Sequence, residues 1–134
     1  MGLFDKIFGN KDKKLAEIAL NGSTAEERRE ARASIKDLSI LAEVLMKSDD
    51  DDFKYSVHKL KGNDKLLAMV AVNTQNKEIG FEAVHWISEE NVGVLAAIAD
   101  KAKNYHVRDK ASMKIISARV SDSGLKIGSG MYRV

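Results

Sequence analysis

Several residue types that support particular folds or chemistries are absent from this chain of 134 residues, or are scarce in it. The chain has no cysteine, which excludes disulfide bonds, thiolate catalysis and cysteine-ligated metals. It has no proline, so the commonest helix breaker is missing, and aromatic residues make up only 6%. No apolar run approaches the length of a membrane span, and no segment resembles a cleavable signal. We therefore expect a cytoplasmic protein.

The residues that are present indicate a folded, helical protein. Hydrophobic residues make up 44% and charged residues 31%, a balance typical of a soluble globular chain. The length indicates one domain, with a core large enough to fold without disulfides or metals. The formal net charge is +2 and the isoelectric point is near 8.8, which is too small a bias to predict nucleic-acid binding by itself.

A short apolar phrase, Leu-Ala followed by any residue and then Ile or Val, occurs four times along the chain. The phrase begins at Leu15, Leu41, Leu67 and Leu95, so the copies are 26, 26 and 28 residues apart. An internal repeat of this length predicts stacked units of supersecondary structure. Each phrase is expected to open a short apolar first helix, and a second helix is expected after a polar break.

The second helices of the four units align when their last hydrophobic anchors are matched. The anchor follows the first leucine of its unit by 20, 19, 20 and 20 residues. The residue four positions before the anchor is small in every unit, which lets two helices approach closely and bury an apolar stripe. The small residues are Ala31, Ser56, Ala83 and Ala111, and the anchors are Ile35, Leu60, Ile87 and Ile115.

The polar breaks between the helices contain residues that commonly cap helices. Ser23 or Thr24, followed by Glu26 and Glu27, predicts the start of the second helix of the first unit. Acidic residues at a helix start also complement the helix dipole. The other breaks are the acidic run 49–52, the segment 62–64, and the asparagines Asn76, Asn91 and Asn104.

This arrangement resembles the HEAT-like repeat family. The fourth unit is the closest match, with Leu95-Ala96-Xaa-Ile98-Ala99 followed by Val107-Arg108-Xaa-Xaa-Ala111-Xaa-Xaa-Lys114-Ile115. The other units depart from its Val-Arg pair: Glu27 replaces the valine in the first, Asp52 and Phe53 replace the pair in the second, and Gly80 replaces the arginine in the third.

The resemblance covers roughly residues 15–117 and has consequences for the fold. It implies an all-α fold, an α-solenoid of about four HEAT-like helical pairs in which the second helices line a concave, partner-binding side. It implies no particular activity, because the family is defined by its architecture.

The two ends of the chain fall outside the repeat. Residues 1–10 are expected to form an amphipathic helix that ends at Gly9-Asn10 and caps the open end of the first unit. The alternative is a membrane-surface anchor, in which neighbouring lysines contact anionic lipid. Its apolar residues are Leu3, Phe4, Ile7 and Phe8.

The remaining boundaries follow from the repeat. Residues 11–117 are assigned to the HEAT-like repeat domain. Residues 118–134 contain three glycines among serines and are expected to be a flexible tail.

One exposed position of the repeat has a composition that packing does not require. His58 and His85 occupy it in consecutive units, two residues after the small core position, which is about 200° around a helix and therefore away from the core. Basic and aromatic neighbours would make this face suitable for an acidic peptide or a nucleic-acid backbone. The alternative is an ordinary amphipathic surface on which Trp86 seals a gap between units. The predicted partner-binding residues are Arg29, Lys54, Tyr55, His58, Phe81, His85, Trp86, Lys110 and Met113.

No residue pattern predicts catalysis, a metal site or a cofactor. A site shared by His58 and His85 is disfavoured because packed helices lie roughly 8–10 Å apart and only Glu82 offers a third ligand. The run 49–52 lacks the alternating ligands of a calcium loop, and Gly128-Ser129-Gly130 lacks the lysine and helix of a phosphate loop. No serine, histidine or carboxylate lies in a recognisable catalytic motif.

These observations predict a non-enzymatic interaction or scaffold module. It would bind an unidentified protein or peptide on the face formed by the second helices. One alternative is a nucleic-acid-binding protein with a weakly basic concave groove. The other is a peripheral membrane adaptor anchored by residues 1–8. No small-molecule substrate is predicted.

Overall fold

The computed structural model describes the backbone of residues 3–122 and the side chains of residues 11–120. This part of the chain contains eight helices and no strand, which confirms the predicted all-α class. The helices are α1 (Leu3–Asn21), α2 (Ala25–Ser34), α3 (Leu38–Lys47), a 3₁₀ helix (Asp51–Leu60), α4 (Asp64–Asn73), α5 (Lys77–Trp86), α6 (Val92–Lys101) and α7 (Tyr105–Asp122).

Polar side chains start the helices at the predicted breaks. Thr24 and Glu27 form a reciprocal capping box: the Thr24 hydroxyl accepts from the Glu27 amide at 3.0 Å, and the Glu27 carboxylate accepts from the Thr24 amide at 3.2 Å. Gly62 has φ 88°, a left-handed turn that glycine adopts at little cost, and Asn63 then caps α4. The side chains of Asp37, Asp50, Asn76 and Asn91 cap α3, the 3₁₀ helix, α5 and α6 in the same way.

The helices pack in two rows. The first helices contact one another in the order α1, α3, α4, α6, and the second helices contact one another in the order α2, 3₁₀ helix, α5, α7. Each first helix also contacts the second helix that follows it. Consecutive units therefore pack against each other through both their first and their second helices.

The core lies between the two rows and contains the predicted repeat positions. The opening leucines Leu41, Leu67 and Leu95 are completely buried, and Leu15 is half-buried. The small position of each second helix is buried as well, at Ala31, Ser56, Ala83 and Ala111. The assignment of residues to the core face of each unit is therefore confirmed.

An arginine ties the second helix to the first in the outer units. Arg28 donates to the Gly22 carbonyl, and Arg108 donates to the Ala102 carbonyl, each at 2.7 Å. Both carbonyls lie just beyond the end of the preceding helix, where backbone acceptors lack helical partners. The same repeat position thus supplies a donor to a carbonyl beyond a helix end in the first and the last unit.

The two inner units have other residues at the repeat position of these arginines. In the second unit Phe53 is buried there, and the guanidinium of Arg32 stacks 4.4 Å from the centre of its ring. In the third unit a Cβ atom on Gly80 would lie 2.3 Å from Cγ2 of Val107. A side chain at this position would therefore require Val107 of α7 to move, which glycine avoids.

Two predicted helix ends are wrong. Helix α1 continues through Gly9 and Asn10 to Asn21, because one glycine inside a helix costs only about 1 kcal/mol, which packing of its later turns against α2 and α3 offsets. Helix α7 continues to Asp122, and Ala118 on it is 6% exposed, so residues 118–122 do not belong to a loose tail.

Other predictions concern parts of the chain that are not described. The side chains of Leu3, Phe4, Ile7 and Phe8 and the tail residues 123–134 lie outside the described residues. The capping and membrane-anchor interpretations of the N-terminus therefore stay predictions. Among the residues that are described, no helix has the length and apolar character needed to cross a membrane.

The second helix of the second unit begins where the acidic run predicts it, with Asp50 as its cap, but it is a 3₁₀ helix. Its terminal hydrogen bonds, from Phe53 to Asp50 and from Lys61 to His58, span three residues. The tighter winding rises about 2.0 Å per residue instead of 1.5 Å. Ten residues consequently span a greater length along the helix axis than in an α-helix.

Candidate partner-binding groove

A cationic staple connects second helices of neighbouring units. Lys114 of α7 donates to the carbonyls of Val84 and His85 at 2.9 Å and of Ile87 at 2.5 Å, so its ammonium satisfies the end of α5. Burial lowers the pKa of Lys114 from its usual value, although Glu89 and Asp64 act in the opposite direction. The contact holds α7 against the end of α5.

The corresponding residues of the other units show why α5 differs. Lys59 occupies the same repeat position and donates to the Ala33 carbonyl of α2 at 3.2 Å. In the third unit this position is Trp86, which is half-buried, and its indole nitrogen has no hydrogen-bond partner among the described residues. An aromatic ring therefore lies where the neighbouring units have an ammonium group.

Two adjoining clefts lie along α5 and α7, and together we call them the groove. One cleft, of about 590 Å³, is lined by Trp86, Met113 and Lys114, among others. The other, of about 270 Å³, is lined by Lys54, Phe81 and Glu82, among others. His85 and Lys110 line both clefts, which therefore lie side by side.

Five side chains, which we call the aromatic strip, follow one another along α5: Trp86, His85, Phe81 and Lys110 line the groove, and Lys61 reaches Trp86 from outside its lining. The Lys61 ammonium lies 5.4 Å from the Trp86 ring, and the His85 and Trp86 rings meet edge to face at 4.9 Å. Phe81 precedes His85 by one helical turn, so both lie on the same side of α5. The Lys110 ammonium lies 5.3 Å from the Phe81 ring and ends the strip.

The charges around the groove differ in how they are paired. The Lys54 ammonium lies 3.2 Å from a carboxylate oxygen of Glu78, and this hydrogen bond and the negative charge raise the pKa of Lys54. Lys61 and Lys110 contact aromatic rings but no carboxylate in the described part of the chain. The two ends of the strip consequently carry cations that lack a counter-ion among these residues.

The groove brings together most of the predicted partner-binding residues. Lys54, Phe81, His85, Trp86, Lys110 and Met113 all line it. Met113 is 66% exposed, which is high for an apolar side chain.

Three predicted residues lie on the surface outside this groove. The guanidinium of Arg29 is 3.8 Å from a carboxylate oxygen of Asp52. Tyr55 is 66% exposed, and the ring of His58 hydrogen-bonds to the Tyr55 carbonyl at 2.8 Å. His58 and His85 are both exposed, as their repeat position predicts, but only His85 lines the groove.

Sequence reasoning missed two contributors to this site. Lys61 lies at the end of the 3₁₀ helix, outside the aligned repeat window, and its approach to Trp86 depends on tertiary packing. Glu78 of the third unit forms an ion pair with Lys54 of the second unit, and no local sequence pattern indicates this contact. The role of Lys114 was accessible in principle, because Lys59 shares its repeat position.

Comparison with known proteins adds no assignment. No protein-family model, no curated protein and no solved structure matches the chain. Across the described residues, no three histidine, aspartate or glutamate side chains are grouped to hold a metal ion. The geometry of the groove is therefore the basis for proposing a function.

Proposed function

We propose that the protein is a non-enzymatic binding module that holds a protein partner on its row of second helices. The observation that carries this proposal is the groove along α5 and α7, where six of the nine predicted residues converge. An exposed methionine beside aromatic rings and lysines is a composition typical of protein-binding surfaces. A cytoplasmic location remains part of this proposal.

The proposed architecture is a HEAT-like α-solenoid of four helical pairs. It is supported by the two rows of helices, in which each pair contacts its neighbours. In a solenoid, such a row of second helices provides an extended binding surface. The equivalence of the first and last units is supported by two matching hydrogen bonds. Arg28 donates to the Gly22 carbonyl, and Arg108 donates to the Ala102 carbonyl.

Site-specific photo-crosslinking tests the proposed face. A photoreactive phenylalanine analogue replaces Met113 in the groove. In the control variant it replaces Met69, which is exposed on α4, the first helix of the third unit. After irradiation in intact cells, we expect discrete covalent adducts with proteins from position 113 and not from position 69. Equal labelling from both positions, or adducts from position 69 alone, would contradict the proposal.

A further inference from the structure

We propose that the groove receives a short acidic peptide segment in which carboxylates flank an apolar side chain. This inference rests on the proposed function and specifies the chemistry of the partner. The structural basis is the aromatic strip, whose apolar rings lie between two lysines without carboxylate partners in the described chain.

The centre of the strip suits an apolar side chain. Phe81 and Trp86 are partly buried against the core, so each ring is held in place and still presents surface to the groove. Met113 adds a flexible, polarisable side chain that adapts to irregular apolar groups. The Lys114 staple holds α7 against α5, so the walls of the groove are already formed before a partner arrives.

The ends of the strip suit carboxylates. Lys61 and Lys110 each lie over a ring and have no carboxylate partner in the described part of the chain. Lys54 is paired with Glu78, and the ammonium group of Lys114 donates three hydrogen bonds to backbone carbonyls. The positive charge open to a partner is therefore concentrated at the two ends.

Two acidic residues restrict what else binds. Glu82 and Glu89 line the groove beside the strip and make no ion pair among the described residues. A continuous polyanion, such as a nucleic-acid backbone, would place phosphates against these carboxylates. A segment with acids only at the lysine ends avoids that repulsion. The arrangement consequently favours an acidic peptide over a nucleic acid.

Selection from a random peptide display library tests this chemistry without a known partner. The purified chain is panned against displayed peptides of about eight residues, a length that covers the strip when extended. Enriched peptides are synthesised without tryptophan and titrated against the protein. Trp86 is the only tryptophan of the chain, so its fluorescence reports occupancy of the strip directly.

Two matched double variants assign the interaction. Lys61→Gln with Lys110→Gln removes the strip's end charges, whereas Lys65→Gln with Lys101→Gln removes two exposed charges from the first helices α4 and α6. We expect enriched peptides with acids flanking an apolar residue, a change in Trp86 emission, and roughly tenfold weaker binding only for the strip variant. Circular dichroism checks that both variants remain folded.

The possible contrary results are distinct. Enrichment of neutral or basic peptides, no enrichment at all, or equal loss in both double variants would overturn the inference. A Trp86 response to a single-stranded DNA oligonucleotide that exceeds the response to the peptides would assign the groove to nucleic acid instead. If photo-crosslinking at position 113 still captures proteins, the proposed function survives while the acidic-peptide inference fails.

Discussion

At the scale of single residues, the second helices hold their cations in different ways. Lys114 and Arg108 satisfy helix-end carbonyls, Lys54 is paired with Glu78, and Lys110 is free to meet a partner. Only the hydrogen bonding of a cation to backbone carbonyls follows from repeat position, because the spacing that produces it recurs along the chain. The others depend on which side chains the rows bring together.

Arg32 is the most unusual cation of the described chain, because it is 5% exposed and its Nε atom has no hydrogen-bond partner there. Burial lowers the pKa of Arg32, while the nearby Asp50 and Asp52 act in the opposite direction. We expect Arg32→Met to raise the free energy of unfolding by about 1 kcal/mol, since it removes a poorly satisfied buried charge while keeping the contact with Phe53. Urea denaturation measures the change.

Arg29→Met is the control for this substitution. Arg29 lies on the same helix, but it is exposed and pairs with Asp52 at the surface. Its replacement should change stability by less than about 0.5 kcal/mol. If Arg32→Met is the less stable of the two variants, the stacking of Arg32 on Phe53 outweighs the cost of burying the charge.

At the scale of helices, the differences among the four repeat units have structural counterparts. Gly80 stands where the first and last units have arginine, and Val107 of the next unit occupies that space. Phe53 stands there in the second unit, and Arg32 of the preceding unit covers its ring. Each departure is thus matched by a residue one unit away, and the alignment alone shows the departure without its partner.

Gly80→Ala tests the close approach of α5 and α7. The added methyl group would meet Val107 at 2.3 Å, so we expect the free energy of unfolding to fall by about 1–3 kcal/mol. Gly93→Ala is the control: nothing lies within 4 Å of its Cβ position, and higher helix propensity should raise stability by up to about 1 kcal/mol. Thermal denaturation of both variants measures the difference.

A second substitution checks the assigned cause. Adding Val107→Ala to Gly80→Ala makes room for the new methyl group, so part of the lost stability should return relative to Val107→Ala alone. If Gly80→Ala is as stable as Gly93→Ala, the two helices are further apart than described.

At the scale of the whole molecule, charge decides between the proposed partner and a nucleic acid. The chain's net charge is only +2. Along the row of second helices, Arg29 and Lys54 pair with carboxylates and Lys114 is bound to carbonyls. Little positive charge is left to neutralise a run of phosphates, although cationic residues are abundant in the sequence.

We therefore expect no retardation of duplex DNA or of RNA at low ionic strength, where counter-ion release favours binding most. Electrophoretic mobility shift measures this, with an established basic DNA-binding domain run in parallel. Binding that weakens steeply as salt is added, and that the Lys61→Gln and Lys110→Gln substitutions reduce, would instead support the nucleic-acid alternative.

The sequence by itself determined the all-α class, the buried leucines, the small core positions and most helix starts. These features depend on local propensity and on periodicity, both of which can be read from neighbouring residues. It was wrong about Gly9-Asn10 and about residues 118–122, because a weak local stop signal does not end a helix that packing supports. It also placed His58 and His85 correctly on the surface.

Only the tertiary structure decided which of the exposed residues form one groove. Tyr55 and His58 lie outside it, Lys61 reaches Trp86 at its edge from beyond the repeat window, and Glu78 pairs with Lys54 from the next unit. Such relations depend on the distances between helices, which are set by packing and not by spacing along the chain. Those distances leave Lys61 and Lys110, at the two ends of the aromatic strip, without a carboxylate partner among the described residues.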